Sequence, residues 1–121
     1  MASIDFVAST TITTAGVQTI TTAYPSTANV DFYLENVTIH LSTAAVSTMP
    51  TTITLDAGDG AVYDTKLLIY DFYNGVTYEE DLIYQPEIPL LCKSGDSIEV
   101  KIVTDGSAGK TVSTRIMSRL V

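Results

Sequence analysis

The sequence has little of what catalytic and metal-binding proteins commonly use. It contains one cysteine, one histidine and no tryptophan, which excludes an internal disulfide and any metal site built from several cysteine or histidine ligands. A Ser-His-acid triad would have to use His40, which the alternating stretch VTIHL places on the polar face of a strand. There is no G-x-S-x-G motif. We therefore predict no enzyme, no catalytic residue, no bound metal and no cofactor.

Positive charge is also scarce. Six basic residues stand against 14 acidic ones, for a net charge of −8. Residues 1–92 hold one lysine against eleven acids, whereas residues 93–121 hold five basic residues against three acids. Such a balance repels phosphate backbones and argues against nucleic-acid binding. The basic C-terminal strands could orient subunits against the acidic remainder, or their charges could simply be solvated.

No apolar run approaches the length of a membrane helix, and MASIDFVAST lacks the basic and apolar regions of a secretory signal. We expect no membrane partner. Cys92, in PLLCKSG, is predicted to be a small core residue, which suits assembly in a reducing cytoplasm rather than secretion. The hydrophobic content of 45% excludes a disordered chain.

Alternation of apolar and polar residues is the dominant pattern. In residues 96–104, for example, Ile98, Val100 and Ile102 alternate with polar residues, and turn motifs rich in glycine and proline separate such segments. The pattern predicts an all-β fold, an antiparallel eight-stranded β-sandwich resembling a jelly roll, over residues 16–121. The predicted strands are residues 16–24, 30–41, 51–56, 64–73, 76–84, 87–92, 96–104 and 111–120.

Residues 1–15 differ from the rest and are predicted to form an extended, threonine-rich N-terminal arm that bends near Gly16. TITTA occurs at residues 11–15 and again at 19–23, and the even offset keeps Ile12 and Ile20 on one face of an extended chain. Such an arm could add to the sheet edge of a neighbouring subunit, or it could be a frayed terminus. Both readings remain open.

Two acidic stretches are candidate sites. In LDAGDGAVYD, Asp56, Asp59 and Asp64 lack the spacing and the closing glutamate of a calcium loop, so we predict a turn between strands. A calcium ion there is a weaker alternative. Glu79, Glu80 and Asp81 are predicted to be a solvated loop rather than a glycosidase pair. Residues 106–110, GSAGK, lack Walker spacing and are predicted to be a hairpin loop.

The segment YDTKLLIYDFYNGVTYEEDLIY is rich in aromatic residues. Asn74-Gly75 is typical of a hairpin turn, which would bring Tyr70, Phe72 or Tyr73 beside Tyr78. This cluster could stabilise the hairpin by cross-strand pairing, anchor a protein interface, or stack on a sugar ring.

The order of these segments resembles small structural proteins of tailed bacteriophages, which are often encoded near the major capsid protein. Those proteins have segments similar to TLDSGxGxxYDxxL and DLVWxPxxPxxLxxGDxI, matched here by Thr54–Asp64, Leu67–Asp71 and Asp81–Ile98. The resemblance covers roughly residues 30–104 and consists of turn and core residues. Tyr84 departs from it, because a tryptophan is common at that position.

The resemblance implies a virion structural protein, specifically a capsid decoration (cement) protein located in the virion. The implied partners are other copies of the chain, as a homotrimer, and the major capsid protein. A carbohydrate- or receptor-binding module of a phage tail or head fibre, with a glycan ligand, is the alternative. The predicted interface residues are Ile12, Ile20, Tyr70, Phe72, Tyr73, Tyr78, Arg115 and Arg119.

Overall fold

The fold was obtained as a computed structural model that describes residues 3–11, 16–25, 30–73 and 80–121. Within these described ranges, the regular elements are nine β-strands and one short 3-10 helix, Ala61–Tyr63. The strands are β1 (Ser3–Thr11), β2 (Thr19–Tyr24), β3 (Phe32–Leu41), β4 (Pro50–Asp56), β5 (Thr65–Asp71), β6 (Asp81–Tyr84), β7 (Leu90–Cys92), β8 (Ser97–Val103) and β9 (Thr111–Leu120). The all-β prediction is confirmed.

The strands form two antiparallel sheets that pack face to face. Sheet A has the order β1-β9-β3-β6, with β7 also paired to β3, and sheet B has the order β2-β8-β4-β5. Successive strands alternate between the sheets except at β4–β5 and β6–β7. This is the connectivity of a jelly roll, as the sequence predicted.

The strand count is nine rather than the predicted eight because the N-terminal segment is itself a strand. Residues 3–11, which we expected to form an arm outside the sandwich, pair along their whole length with β9, from Ser3 opposite Arg119 to Thr11 opposite Thr111. The predicted bend is present at Gly16, whose φ of 125° favours glycine. Residues 12–15 of the predicted arm lie outside the described residues.

Strands β6 and β7 share the same edge of β3. Residues 81–84 pair with the C-terminal half of β3, and residues 90–92 pair with its N-terminal end. Pro86 and Pro89 lie between them. Because proline lacks a backbone N–H donor, it interrupts the ladder at this edge. The nine strands therefore occupy eight strand positions.

The core is formed where the predicted alternation points inward. β3, β8 and β9 each alternate buried and more exposed residues, and their buried side chains pack between the sheets. Cys92 is fully buried, which confirms it as a core residue. The apolar core consists of Tyr24, Phe32, Leu34, Val37, Ile39, Leu41, Ala45, Met49, Ile53, Phe72, Cys92, Ile98, Val100, Ile102, Val112 and Ile116.

The connections between strands confirm one sequence prediction and correct two others. The acidic stretch LDAGDGAVYD does join paired neighbours, β4 and β5, as expected of a turn. However, β5 lies in sheet B and β6 in sheet A, so these two strands do not pair as the hairpin predicted at Asn74-Gly75. Residues 74–79 themselves lie outside the described residues. Likewise, residues 106–110 cross from β8 in sheet B to β9 in sheet A and are not a hairpin loop.

Within the described ranges, no helix has the length and apolar character needed to span a bilayer.

Candidate functional site

The outer faces of the two sheets differ in composition. Directly paired residues on antiparallel strands point to the same side of a sheet, so the register identifies each face. One row across the outside of sheet B is Thr21, Lys101, Thr52 and Ile69. This face is mainly polar and rich in threonine, and Ile69 is its large exposed apolar side chain.

The outer face of sheet A combines apolar side chains with arginine. One row across it is Val7 on β1, Arg115 on β9, Thr38 on β3 and Ile83 on β6. Val7 and Ile83 are both exposed, and Arg115 lies between them. Because arginine is enriched at protein interfaces, this row is a candidate docking surface.

The adjacent row on the same face is Ser113 on β9, His40 on β3 and Asp81 on β6. His40 Nδ1 lies 2.6 Å from Asp81 Oδ1, and both side chains are exposed. The prediction of a surface histidine on a strand is confirmed, although the sequence did not identify Asp81 as its partner.

The order Ser113, His40, Asp81 is also that of a Ser-His-acid triad, but its surroundings do not suit acyl transfer. β9 lies between β1 and β3, so the N–H groups around Ser113 point into the two ladders. They are therefore not available as an oxyanion hole. The row is better suited to binding than to hydrolysis.

A groove of about 250 Å³ runs along these two rows. It is lined by Val7, Thr38, His40, Ser113, Thr114 and Arg115. Arg115 brings a guanidinium to this groove, whereas the imidazole of His40 is paired through Nδ1 with the carboxylate of Asp81 at 2.6 Å. The groove therefore places the apolar side chain of Val7 beside a guanidinium and a His–Asp pair, a mixed composition that a protein partner can contact.

A second groove of about 420 Å³ lies at one end of the sandwich, lined by Val30, Asp31, Ser94, Leu120 and Val121. Although larger, it has only one charged side chain, and the carboxylate of Asp31 accepts the N–H of Ser94 at 2.6 Å. The carboxylate of Asp31 thus joins two loops of the same chain. The smaller groove on sheet A is the better candidate site.

Arg119 lies farther along the outer face of sheet A. Its guanidinium carbon is 5.1 Å from the centroid of the Tyr33 ring, and its Nε is 4.0 Å from Glu35 Oε1. Tyr33 pairs with Leu91 on β7, whose side chain is exposed. Because Arg115 and Arg119 are four residues apart on one strand, both predicted arginines lie on this face.

The aromatic residues predicted as interface anchors are mostly packed inward. Phe72 is completely buried and belongs to the core, which removes it from the docking surface. Tyr70 packs edge-to-face on Phe72 with a centroid distance of 5.3 Å, and both Tyr70 and Tyr73 are partly buried against the core. Tyr78 lies outside the described residues.

The two isoleucines predicted as interface residues have different outcomes. Ile20 pairs with buried Ile102 and is partly buried against the core, so it faces the interior of the sandwich. Ile12 lies outside the described residues. Neither therefore adds to the outer face of sheet A as the structure describes it.

Residues 57–64, which we call the acidic turn, are held by hydrogen bonds from backbone N–H groups to aspartate side chains. Asp64 Oδ1 accepts the N–H of Ala57 at 2.9 Å, and Asp96 Oδ1 accepts the N–H of Gly58 at 3.0 Å. Among the described residues, no group of three or more His, Cys, Asp or Glu side chains is arranged to hold a metal ion. The turn predicted from the glycines is confirmed.

Sequence reasoning missed Val7, Ile83 and Leu91. The sequence does indicate that an apolar residue faces outward at two of these places, because Leu82-Ile83 and Leu90-Leu91 are consecutive apolar residues on strands. Successive side chains on a strand point to opposite sides, so one of each pair must face outward. Which one does so depends on the pairing register, which the sequence alone did not give.

Comparisons with known proteins give structural likenesses of low sequence identity. No protein-family model and no curated protein matches the sequence. A crystal structure of PirA is similar with a TM-score of 0.48 and 12% identity, over 94% of this chain and 92% of that one. A structure of infectious bursal disease virus, Gx strain, is similar with a TM-score of 0.48 and 18% identity, over 97% of this chain and 31% of the viral chain. Neither likeness carries a functional argument.

Proposed function

We propose that this protein is a virion structural protein that acts as a capsid decoration protein. It docks through the outer face of sheet A onto the surface where major capsid subunits meet. The observation that carries the proposal is the row Val7, Arg115, Thr38 and Ile83, in which exposed apolar side chains stand at the two ends and an arginine lies between them. The resemblance of residues 30–104 to phage structural proteins supports the same role.

The mechanism is stabilisation by repeated burial. A decoration protein contacts neighbouring capsid subunits together, so each copy resists their separation. Many modest interfaces repeated over a shell sum to a large stabilisation without tight individual binding. A jelly-roll sandwich suits this role because its two packed layers hold the docking face rigid.

A glycan-binding role is less well supported by the described tyrosines. Sugar-ring stacking needs an exposed aromatic face, but Tyr70 and Tyr73 are partly buried against the core. Tyr63 is the large exposed aromatic side chain in this part of the chain, and it lies on the acidic turn rather than beside Tyr70. We therefore do not propose a second function.

The test is binding to capsids assembled from the major capsid protein of the same virus, measured by co-sedimentation. Ile83→Asp places a charge in the docking face, whereas Ile69→Asp places the same charge on sheet B. These two isoleucines are 68% and 69% exposed, so the variants are matched in burial. We expect Ile83→Asp to lose binding and Ile69→Asp to retain it.

Equal binding by both variants would contradict the proposal, and so would the absence of binding by the unmodified protein. Deletion of residues 1–15 is not a clean test of an arm, because it would also remove β1 from the edge of β9. Point substitutions on the outer face avoid this problem.

A further inference from the structure

Among the described strands, each sheet ends in strands that pair on one side only. In sheet A these edge strands are β1 at one end and β6 with β7 at the other, and in sheet B they are β2 and β5. The backbone N–H and C=O groups on the free side of an edge can pair with a strand of another molecule. Proteins usually prevent such pairing with short edges, proline, lysine or a bulge, so an edge without these features is a candidate interface.

Three of the four edges carry such features. Strands β6 and β7 have four and three residues, and Pro86 and Pro89 lie between them. Strand β5 contains Lys66, and its register with β4 is irregular. Strand β2 has six residues and is followed directly by Pro25. None of these strands offers a long and uninterrupted edge.

The fourth edge, β1, differs from the others. Its nine residues, SIDFVASTT, include no proline, glycine or lysine, and Asp5 is its one charged residue. Its register with β9 runs without a shift from Ser3 to Thr11. Strand β1 is therefore a long and regular edge, and its second side is unpaired among the described strands.

We infer that β1 of one copy of this chain pairs antiparallel with β1 of a second copy and joins the two A sheets into one. A strand can pair with its own copy in this way because an antiparallel pair has a two-fold axis, so the interface is isologous. Each β1 has one free side, so association ends at two copies. The inference thus predicts a dimer, whereas the resemblance to phage proteins implies a trimer.

The register of the pair follows from full overlap of the two strands. Overlap of all nine residues places Val7 opposite Val7 on the axis and Asp5 opposite Ser9. The two copies of Asp5 are then about 14 Å apart along the strands, which is beyond the Debye length at physiological salt. Alternate residue pairs exchange two hydrogen bonds, which gives about eight to ten bonds. A typical protein interface has about ten.

This inference goes beyond the proposed function and does not depend on it, because self-association is measured without capsids. The two roles are also compatible in space. A strand added at an edge lies in the plane of the sheet, so the outer faces of both A sheets stay exposed.

The experiment is sedimentation velocity of the purified full chain over a range of concentrations. We expect the mass to rise from the chain mass of 13.0 kDa to twice that value. Ser9→Asp places like charges opposite each other at two symmetric positions, so dimerisation should weaken about tenfold. Ser9→Lys places opposite charges there, so dimerisation should strengthen by about threefold or more.

Thr11→Asp is the matched control. Thr11 lies two residues from Ser9 and therefore on the same face of β1, but in the inferred register it stands opposite Ser3 rather than Asp5. The control adds the same charge to the same strand, and dimerisation should change by less than about threefold.

Salt gives a second readout. Each copy carries a net charge of −8 and the interface contains no ion pair, so dimerisation should strengthen as salt rises from about 0.05 M to about 0.5 M. A protein that stays at the chain mass at every concentration, or that forms a trimer, would overturn the inference.

A dimer that both Ser9 variants leave unchanged, while circular dichroism shows them folded, would also overturn it. The gain expected for Ser9→Lys is informative because misfolding cannot produce it. If the chain stays at the chain mass but Ser9→Asp loses binding to capsids, the β1 edge pairs with the capsid protein and the second-copy inference is wrong.

Discussion

Lys110 and Asp105 form a buried ion pair where the chain crosses from sheet B to sheet A. Lys110 Nζ lies 2.7 Å from Asp105 Oδ2, and the two side chains are 1% and 0% exposed. Lys110 Nζ also donates to the carbonyl oxygen of Ala44 at 2.8 Å. Asp105 accepts the N–H groups of Val46 and Ser107, each at 3.0 Å. The pair therefore fastens the β3–β4 connection to the β8–β9 connection.

We expect Lys110→Met to destabilise the fold by about 3–5 kcal/mol, because it leaves the Asp105 carboxylate buried without its cation. Methionine keeps most of the side-chain volume, so the loss reports the charge rather than a cavity. Urea unfolding followed by circular dichroism measures the change in the free energy of unfolding.

Lys101→Met is the control for this substitution. Lys101 is exposed on sheet B, with its Nζ 3.8 Å from Glu99 Oε1. An exposed pair of this kind contributes little, so the control should change the free energy of unfolding by less than about 1 kcal/mol. Similar losses of stability in the two variants would contradict a stabilising role for the buried ion pair of Lys110 and Asp105.

The same ion pair predicts how stability depends on pH. Burial raises the pKa of Asp105. The hydrogen bonds from Lys110, Val46 and Ser107 and the positive charge of Lys110 have the larger combined effect, so the pKa is lowered from 3.8 to about 2. A carboxyl group with a lowered folded-state pKa stabilises the fold above its unfolded pKa. That contribution is lost as the pH falls from about 4 to about 2, and its size is on the order of 2 kcal/mol.

The measurement is urea unfolding between about pH 5 and about pH 2, compared with the Asp105→Asn variant. The variant should show a shallower loss of stability over this range. It should retain some loss, because hydrogen bonds from Thr48, Met49 and Tyr73 also lower the pKa of Asp71 despite the opposing effect of burial. Parallel pH profiles for the variant and the unmodified protein would contradict the role of Asp105.

The sequence predicted the core strands because their pattern is local. Alternation in β3, β8 and β9 is enough to say which side chains face inward. The glycines of the acidic turn likewise marked a connection that the structure confirms. Burial of Cys92 was also predictable, because its neighbours are apolar and it has no partner cysteine.

The N-terminal strand could not be predicted because the residues it pairs with, from Thr111 to Arg119, lie at the other end of the sequence. A threonine-rich edge strand and a free extended arm have the same local sequence, and only pairing with β9 distinguishes them. Turn motifs have a similar limit. Asn74-Gly75 and Gly106-Ser107 indicate a change of direction, but they do not say whether the next strand returns to the same sheet or crosses to the other one.

The candidate site was predictable only in part. Arg115 and Arg119 were correctly placed on the polar face of the last strand. Val7 and Ile83 join them because of the register between β1, β9, β3 and β6, which is a property of the whole sheet. The burial of Lys110 could not be predicted, because a lysine in a glycine-rich loop is expected at the surface unless a buried partner is known.

A close approach of two turns gives a third prediction. A Cβ atom added at Gly58 would lie 2.7 Å from both the carbonyl carbon and the oxygen of Gly95. These are backbone atoms and cannot move aside as a flexible side chain can. We expect Gly58→Ala to destabilise the fold by about 1–3 kcal/mol, measured by thermal or urea unfolding.

Ala61→Ser is the control for the glycine substitution, because it adds an atom to the exposed 3-10 helix of the same turn. It should change the free energy of unfolding by less than about 0.5 kcal/mol. An unchanged stability for Gly58→Ala would mean that the two turns do not pack as closely as the structure indicates.

The reactivity of Cys92 gives a fourth prediction. Burial, with a smaller effect from the negative charge of Asp96, raises the pKa of the thiol from 9.0 to about 12. Only the thiolate reacts with disulfide reagents, so at pH 8 this shift alone lowers the reactive fraction about 1000-fold. Labelling with an aromatic disulfide, followed by absorbance, should therefore be very slow in buffer and fast in denaturant. Rapid labelling of the folded protein would contradict the burial of Cys92, because the reagent can reach this thiol only when β7 separates from the sandwich.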